Sequence, residues 1–306
     1  MQSLEPADNR FYWVKLSAKQ WRDRAFFCLV IVLITMSLPN LATFTNVPSL
    51  AIGFGATLLT ADVLERLHKI PLSVTLLSLA IPMGIVASTI GLVSIFSSFS
   101  SGPANVQAVS FATSIMLLTT YYGLILCVIG YSLNKHDDSY FKPSTVGLKT
   151  FLFLIFLNYG LIFWGIFQNG NPIVFLSVKP LLLVIGLTVL FHFARAEEKG
   201  LAENIADASI ASIILSIMIG LVMLYSSFGA DPSYEYMGVN QFTELANYAN
   251  YGLFYGCSLY VFSFLLSLYT NEFQKINFKL KNWHMVEAFS FYVFMTLAAP
   301  SLFELV

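Results

Sequence analysis

A chain of 306 residues that is 57% hydrophobic and only 11% charged has too little polar surface to cover a soluble globule, so lipid must be its solvent. A formal net charge of −1 with scattered Lys and Arg argues against nucleic acid or an acidic soluble partner. In lipid the backbone must satisfy its own hydrogen bonds, and the apolar runs are continuous rather than alternating, which selects helices over a closed barrel. The expected fold class is therefore an all-α integral membrane protein.

The elements follow in chain order. Residues 1–24 form a basic and aromatic segment carrying Glu5, Asp8 and Arg10, and no small-residue cleavage signature follows, so the first helix is expected to stay as an anchor. The uncharged run from Ala25 to Ala61 exceeds the roughly 20 residues that one span needs, and Pro39, Asn40, Asn46 and Pro48 mark the turn of a hairpin. The run from Pro71 to Asn134 holds two helices, near 71–97 and 107–133, broken at the Ser/Gly/Pro-rich stretch 97–103. Further spans are expected near 150–168, 173–194, 206–228 and 246–270, with a possible ninth segment near 285–303. Basic residues gather before the first span (Arg10, Lys15, Lys19, Arg22, Arg24) and after the second (Arg66, Lys69), the fourth (Lys135, Lys142), the sixth (Arg195, Lys199) and the eighth (Lys275, Lys279, Lys281). The loops near 45, 101, 170 and 232 carry none, so the positive-inside rule places the N-terminus in the cytoplasm, and the helical spans suit a membrane of the inner, cytoplasmic type.

The sequence also repeats itself. GLVSIFSSFSSGP at 91–103 is matched by GLVMLYSSFGADP at 220–232, Tyr122-Gly123-Leu124 by Tyr251-Gly252-Leu253, and Arg66 by Arg195, all 129 residues apart. Four spans per copy is an even number, so the copies share one orientation, unlike inverted-repeat transporters. The expected organisation is two parallel four-helix repeats, 25–140 and a degenerate 141–275, followed by a C-terminal segment 276–306.

IPMGIVASTIGLVSIFSSF at 81–99, AVSFATSIMLLTTYYGLIL at 108–126 and VPSLAIGFGATLLTADVLERLHK at 47–69 together resemble the MotA/PomA flagellar-stator A-subunits, relatives of ExbB and TolQ in one proton-channel superfamily. The LLTTxYG string at 117–123 is the most specific part. The resemblance is good over residues 25–135 and reaches 150–272 only through the repeat. It implies a motor complex in a bacterial inner (cytoplasmic) membrane driven by H⁺ or Na⁺, a ring of subunits, and a single-span MotB/ExbD-like partner bearing an intramembrane Asp. This chain departs from the family in joining spans two and three through His68, Lys69 and Ile70 alone, without a cytoplasmic domain. The family's Gly-Thr is Ala87-Ser88 here, and its proline is shifted by one position to Pro82.

An ion crossing hydrocarbon needs an ionisable or oxygen-rich waypoint, and residues 71–134 contain no charged side chain. Any titratable group must then come from another chain, which agrees with the partner that the resemblance implies. Ser88, Thr119 and Thr120 are the candidate hydroxyl lining; the competing reading is that they bond helix carbonyls or a neighbouring helix. At the repeat offset they become Ile217, Tyr248 and Ala249, so this set occurs once. Gly84, Ala87, Ser88 and Gly91, with Ser94, Pro82 and Gly123, form a small-residue surface for helix packing or pore lining. Asp62, Glu65 and Arg66 are inner-end charges, interfacial or open to a cytoplasmic partner. Lys179 snorkels from an outer end, and Asp231, Glu235 and Glu244 face outward.

Cys28, Cys127 and Cys257 lie in apolar runs without ligand spacing, and His68, His136, His192 and His284 are far apart, so no disulfide, metal or cofactor is expected. No nucleophile elbow, P-loop or paired carboxylate within a span points to an enzyme. The reading is a stator-like, ion-conducting subunit. The alternatives are a non-conducting scaffold of an envelope complex and, opposed by the absence of buried polar or charged binding residues in spans one to four, a small-solute transporter.

Overall fold

The computed structural model describes residues 18–37, 47–99, 106–133, 145–168, 172–229 and 239–303. The turn expected at Pro39, Asn40 and Asn46, the loops near 101, 170 and 232, and Lys135, Lys142, His136, Asp231 and Glu235 lie outside these residues. Among the described residues all regular structure is helical.

Ala18–Ser37 forms α1. Val47–Leu50 (α2), a π-helical turn Ala51–Ala56 and Thr57–His68 (α3) then run on without a break, since Leu50, Ala56 and Thr57 all keep right-handed helical dihedrals. Lys69 ends α3 in the left-handed region, at φ 55°, with its N–H on Leu64 O. The Ile70 N–H reaches the same carbonyl at 3.2 Å, and Ile70 is fully buried. This left-handed cap with a hydrophobic residue after it, followed by Pro71, stops the helix and reverses the chain within three residues.

Leu72–Phe99 is α4, Val106–Leu133 α5, Leu148–Gln168 α6, Val178–Arg195 α7, Leu201–Gly229 α8, Val239–Tyr269 α9 and Phe278–Phe303 α10. Among the described residues, five stretches are long and apolar enough to cross a membrane: Leu72–Val93, Leu148–Gln168, Val178–Arg195, Leu201–Ser226 and Asn247–Tyr269. By length and composition this is a multi-pass membrane protein. α8, α9 and α10 each begin several residues before the expected span. The early turns of α8 carry Glu203 and Asp207, which are neutralised by basic partners, so the helix can begin ahead of the uncharged run. α10 likewise bears Lys281, His284 and Glu287 near its start and is not among the five.

The most extensive packing joins α4 to α5 and α8 to α9, and α4 also lies along α9. α3 packs on α4 as α7 packs on α8, and α1 touches α5 as α6 touches α9. Leu72 and Leu201, 129 residues apart, open α4 and α8. α4 is the central helix, with every residue of Leu72–Val93 except Val74 buried. α1, α6 and α7 lie on the outside, with Met36, Phe156 and Phe193 more than three-quarters exposed. Apolar faces of that extent on the outside of a chain are the surface that lipid covers.

α10 ties the two halves together. Pro82 has no N–H, so it leaves the Ser78 carbonyl without its usual helix donor. Asn282 Nδ2 donates to Ser78 O at 3.3 Å and to Leu77 O, so the break in α4 is read by a side chain about 200 residues away. Asn282→Leu is expected to destabilise the fold by about 1–3 kcal/mol, the penalty for a buried carbonyl left unpaired. Adding Pro82→Ala should recover much of that loss by restoring the helix N–H. Thermal unfolding of the single and double variants checks this, and strict additivity would refute it.

Candidate functional site

The predicted hydroxyl residues meet where α4 crosses α5. The crossing is close because two glycines oppose each other. A Cβ built on Gly123 would stand 2.6 Å from Ala80 O and 3.3 Å from Gly84 Cα, and one on Gly84 would stand 3.1 Å from Gly123 Cα and from Thr119 O. Contact at this distance is what small residues permit between membrane helices. One turn further along, Ser88 Oγ lies 2.9 Å from Thr120 Oγ1 and within hydrogen-bond reach of Thr119 Oγ1. Ser88 Oγ also donates to Gly84 O at 2.8 Å, the back-bond to the i−4 carbonyl that serines make in apolar helices.

Ser88 and Thr119 are fully buried, while Thr120 is half-buried. Thr120, Leu124 and Val128 follow at four-residue spacing and so share one face of α5, on which Leu124 is 40% and Val128 59% exposed. The cluster thus has a closed side, between the helices, and a side that reaches the surface through Thr120. Pro82, Gly84, Ala87 and Gly91 are all buried on α4. Gly84 meets Gly123, and Pro82 acts through Ser78 O as described above.

The predicted inner-end charges form a separate group. Arg66 Nε donates to Asp62 at 2.8 Å, and Arg24 of α1 reaches Asp62 at 2.5 Å and Glu65 at 3.0 Å. Burial raises the Glu65 carboxyl above its usual range, and Arg24 draws it part of the way back. These charges therefore anchor α1 to α3. They lie about six helical turns of chain from Ser88 and are not part of the hydroxyl cluster. The matching end of the second half is built on Asp207, which Arg195 contacts at 3.2 Å, Lys199 at 2.9 Å, and Lys281 of α10 also contacts. Lys179 stands in the first turn of α7, at a helix end as expected. Among the described residues no group of three or more His, Cys, Asp or Glu is arranged to hold a metal ion.

Sequence reasoning missed the buried amides. Asn158 of α6 donates to Thr60 Oγ1 of α3 at 2.8 Å, fastening the outer helix of one half to the other half. Tyr292 of α10 donates to Asn250 Oδ1 of α9 at 2.8 Å. The available signal was the asparagine itself, since an amide inside an apolar run must find partners.

No protein-family model matches the chain, and no curated protein or solved structure matches it.

Proposed function

We propose that this chain is a duplicated stator-type subunit of an inner-membrane motor, driven by the flow of H⁺ or Na⁺. In this reading it has eight or nine spans, a cytoplasmic N-terminus and two parallel repeats offset by 129 residues. It joins a ring and works with a single-span MotB/ExbD-like protein whose intramembrane Asp is the titratable group. The 129-residue spacing of the helix starts at Leu72 and Leu201 and the corresponding pattern of helix contacts in the two halves support the duplication.

The observation that carries the reading is the meeting of Ser88, Thr119 and Thr120 on two helices that bear no charged side chain. Thr120 brings that hydroxyl cluster to an apolar surface of α5, where an approaching carboxyl from a partner helix would find oxygen donors and acceptors at membrane depth. With the cytoplasmic domain of the family replaced by the turn at Lys69, the load is not a rotor engaged in the stator manner. The output is then periplasmic force, an accessory role in a larger motor, or the movement of another assembly.

The decisive variants are Ser88→Ala and Thr120→Val, which remove hydroxyls without adding bulk. Ion flux into vesicles holding the chain and its partner should fall to a small fraction of wild type, with the amount of folded protein unchanged. A second reading, a non-conducting scaffold, draws on the complete burial of Ser88 and Thr119, which suits helix packing. Flux and activity that survive both substitutions would decide for the scaffold.

A further inference from the structure

The second half carries a buried polar cluster of its own, displaced by one residue from the positions where the first half has hydroxyls. Under the 129-residue correspondence Ser88 aligns with Ile217, but its neighbour Ser216 is a serine. Thr119 and Thr120 align with Tyr248 and Ala249, but asparagines flank them at Asn247 and Asn250. Each shift is one helical residue, about 1.5 Å in height. The polar groups thus keep their depth and turn to another face of the helix.

That face is enclosed. Ser216 and Asn250 are fully buried and Asn247 is 9% exposed. Ser216 packs against α9 where Gly252 leaves room, since a Cβ on Gly252 would overlap it. Tyr292, 2% exposed on α10, donates to Asn250 Oδ1 at 2.8 Å, which fixes the amide so that Nδ2 points the other way. Asn250 Nδ2, Asn247 Oδ1 and Ser216 Oγ then have no hydrogen-bond partner among the described residues. Asn247 and Asn250 are three apart and stand on neighbouring turns of one helix face. One offers an acceptor and the other a donor, and leaving both dry costs more than holding a water between them.

We propose that the α9–α10 junction binds ordered water, with one molecule bridging Asn250 Nδ2 and Asn247 Oδ1 beside the Tyr292 hydroxyl. The second half is then not an apolar relic: it is a hydrated site at the same depth as the hydroxyl cluster of the first, completed by a helix that lies outside the repeat. This holds whether or not the chain conducts ions.

The test is X-ray radiolytic footprinting of the purified full chain in nanodiscs, read by mass spectrometry with ¹⁸O-labelled water. Bound water activated beside a tyrosine oxidises it even when bulk solvent cannot reach it. Tyr292 should be modified severalfold faster than Tyr260, which is equally buried but donates to Phe278 O in an apolar aromatic setting. Asn247→Leu should remove the excess at Tyr292 and leave Tyr260 unchanged. Equal protection of Tyr292 and Tyr260 in the wild-type protein would overturn the proposal, and that comparison needs no variant to fold.

Discussion

Replacing Gly123 with alanine is expected to destabilise the folded chain by about 1–3 kcal/mol, the usual effect of forcing a methyl group into a packed interior. The new Cβ would stand 2.6 Å from Ala80 O and 3.3 Å from Gly84 Cα. Both are backbone atoms, so no side chain can rotate away, and α4 must separate from α5. The same movement would pull Thr119 and Thr120 away from Ser88, so loss of stability and disruption of the hydroxyl cluster should appear together. Gly160 is the control, because a Cβ there meets nothing within 4 Å. Gly160→Ala should be neutral or mildly stabilising, alanine being about 0.8–1.0 kcal/mol better than glycine in a helix interior. Thermal unfolding of both variants in mild detergent makes the comparison, and equal midpoints would show that the close crossing is not what holds α4 on α5.

The second large effect is expected at Asp207. It is met by Arg195, Lys199 and Lys281, and its loss would not be felt equally by the three. Lys199 also has Glu203 at 2.8 Å, and the Arg195 side chain is 43% exposed and can turn to water. Lys281 is only 14% exposed, as is Asp207, so it is the charge left stranded. Breaking a fully buried pair from one side costs about 3–5 kcal/mol. Asp207→Asn should fall near the lower end of that range, because neither partner is wholly enclosed. Lys281 sits beside Asn282, so α10 would lose its hold on α8 and strain its hold on α4. Limited proteolysis should then cut near residues 273–283 in the variant and not in the wild type. Adding Lys281→Met should restore resistance, since it removes the stranded charge while keeping the apolar stem. Continued resistance of Asp207→Asn alone would show that the pair does not fasten α10.

What could be read from the sequence was whatever depends on local composition. Long uncharged runs gave the helices, because no other backbone arrangement satisfies itself in lipid. The three residues between Arg66-Leu67 and Pro71 required a tight reversal, and the left-handed Lys69 provides it. The hydroxyl residues were singled out by the family resemblance, and the structure places Ser88 against Thr119 and Thr120.

What could not be read depends on partners distant along the chain. Nothing near Pro82 announces that Asn282 will supply the missing donor, and nothing near Thr60 announces Asn158. α8 and α10 begin ahead of the expected spans for a related reason. Glu203, Asp207 and Lys281 look like the end of an apolar span when each is taken alone, and become acceptable within helices once Lys199 meets Glu203 and Lys281 meets Asp207. The polar set of the second half was overlooked because residues were compared at strictly equal positions. A shift of one residue hides a group that occupies nearly the same depth on a different helix face.

The stator-like account turns on a companion chain, and its most direct test is to purify this protein from its native membrane in mild detergent and identify what accompanies it by mass spectrometry. The account predicts a single-span protein with an Asp near the start of its membrane helix, held in reduced amount by Thr120→Val and by bulky substitution at Val128. Recovery of large envelope components alone, with no such protein, would contradict it and assign the chain to a scaffold.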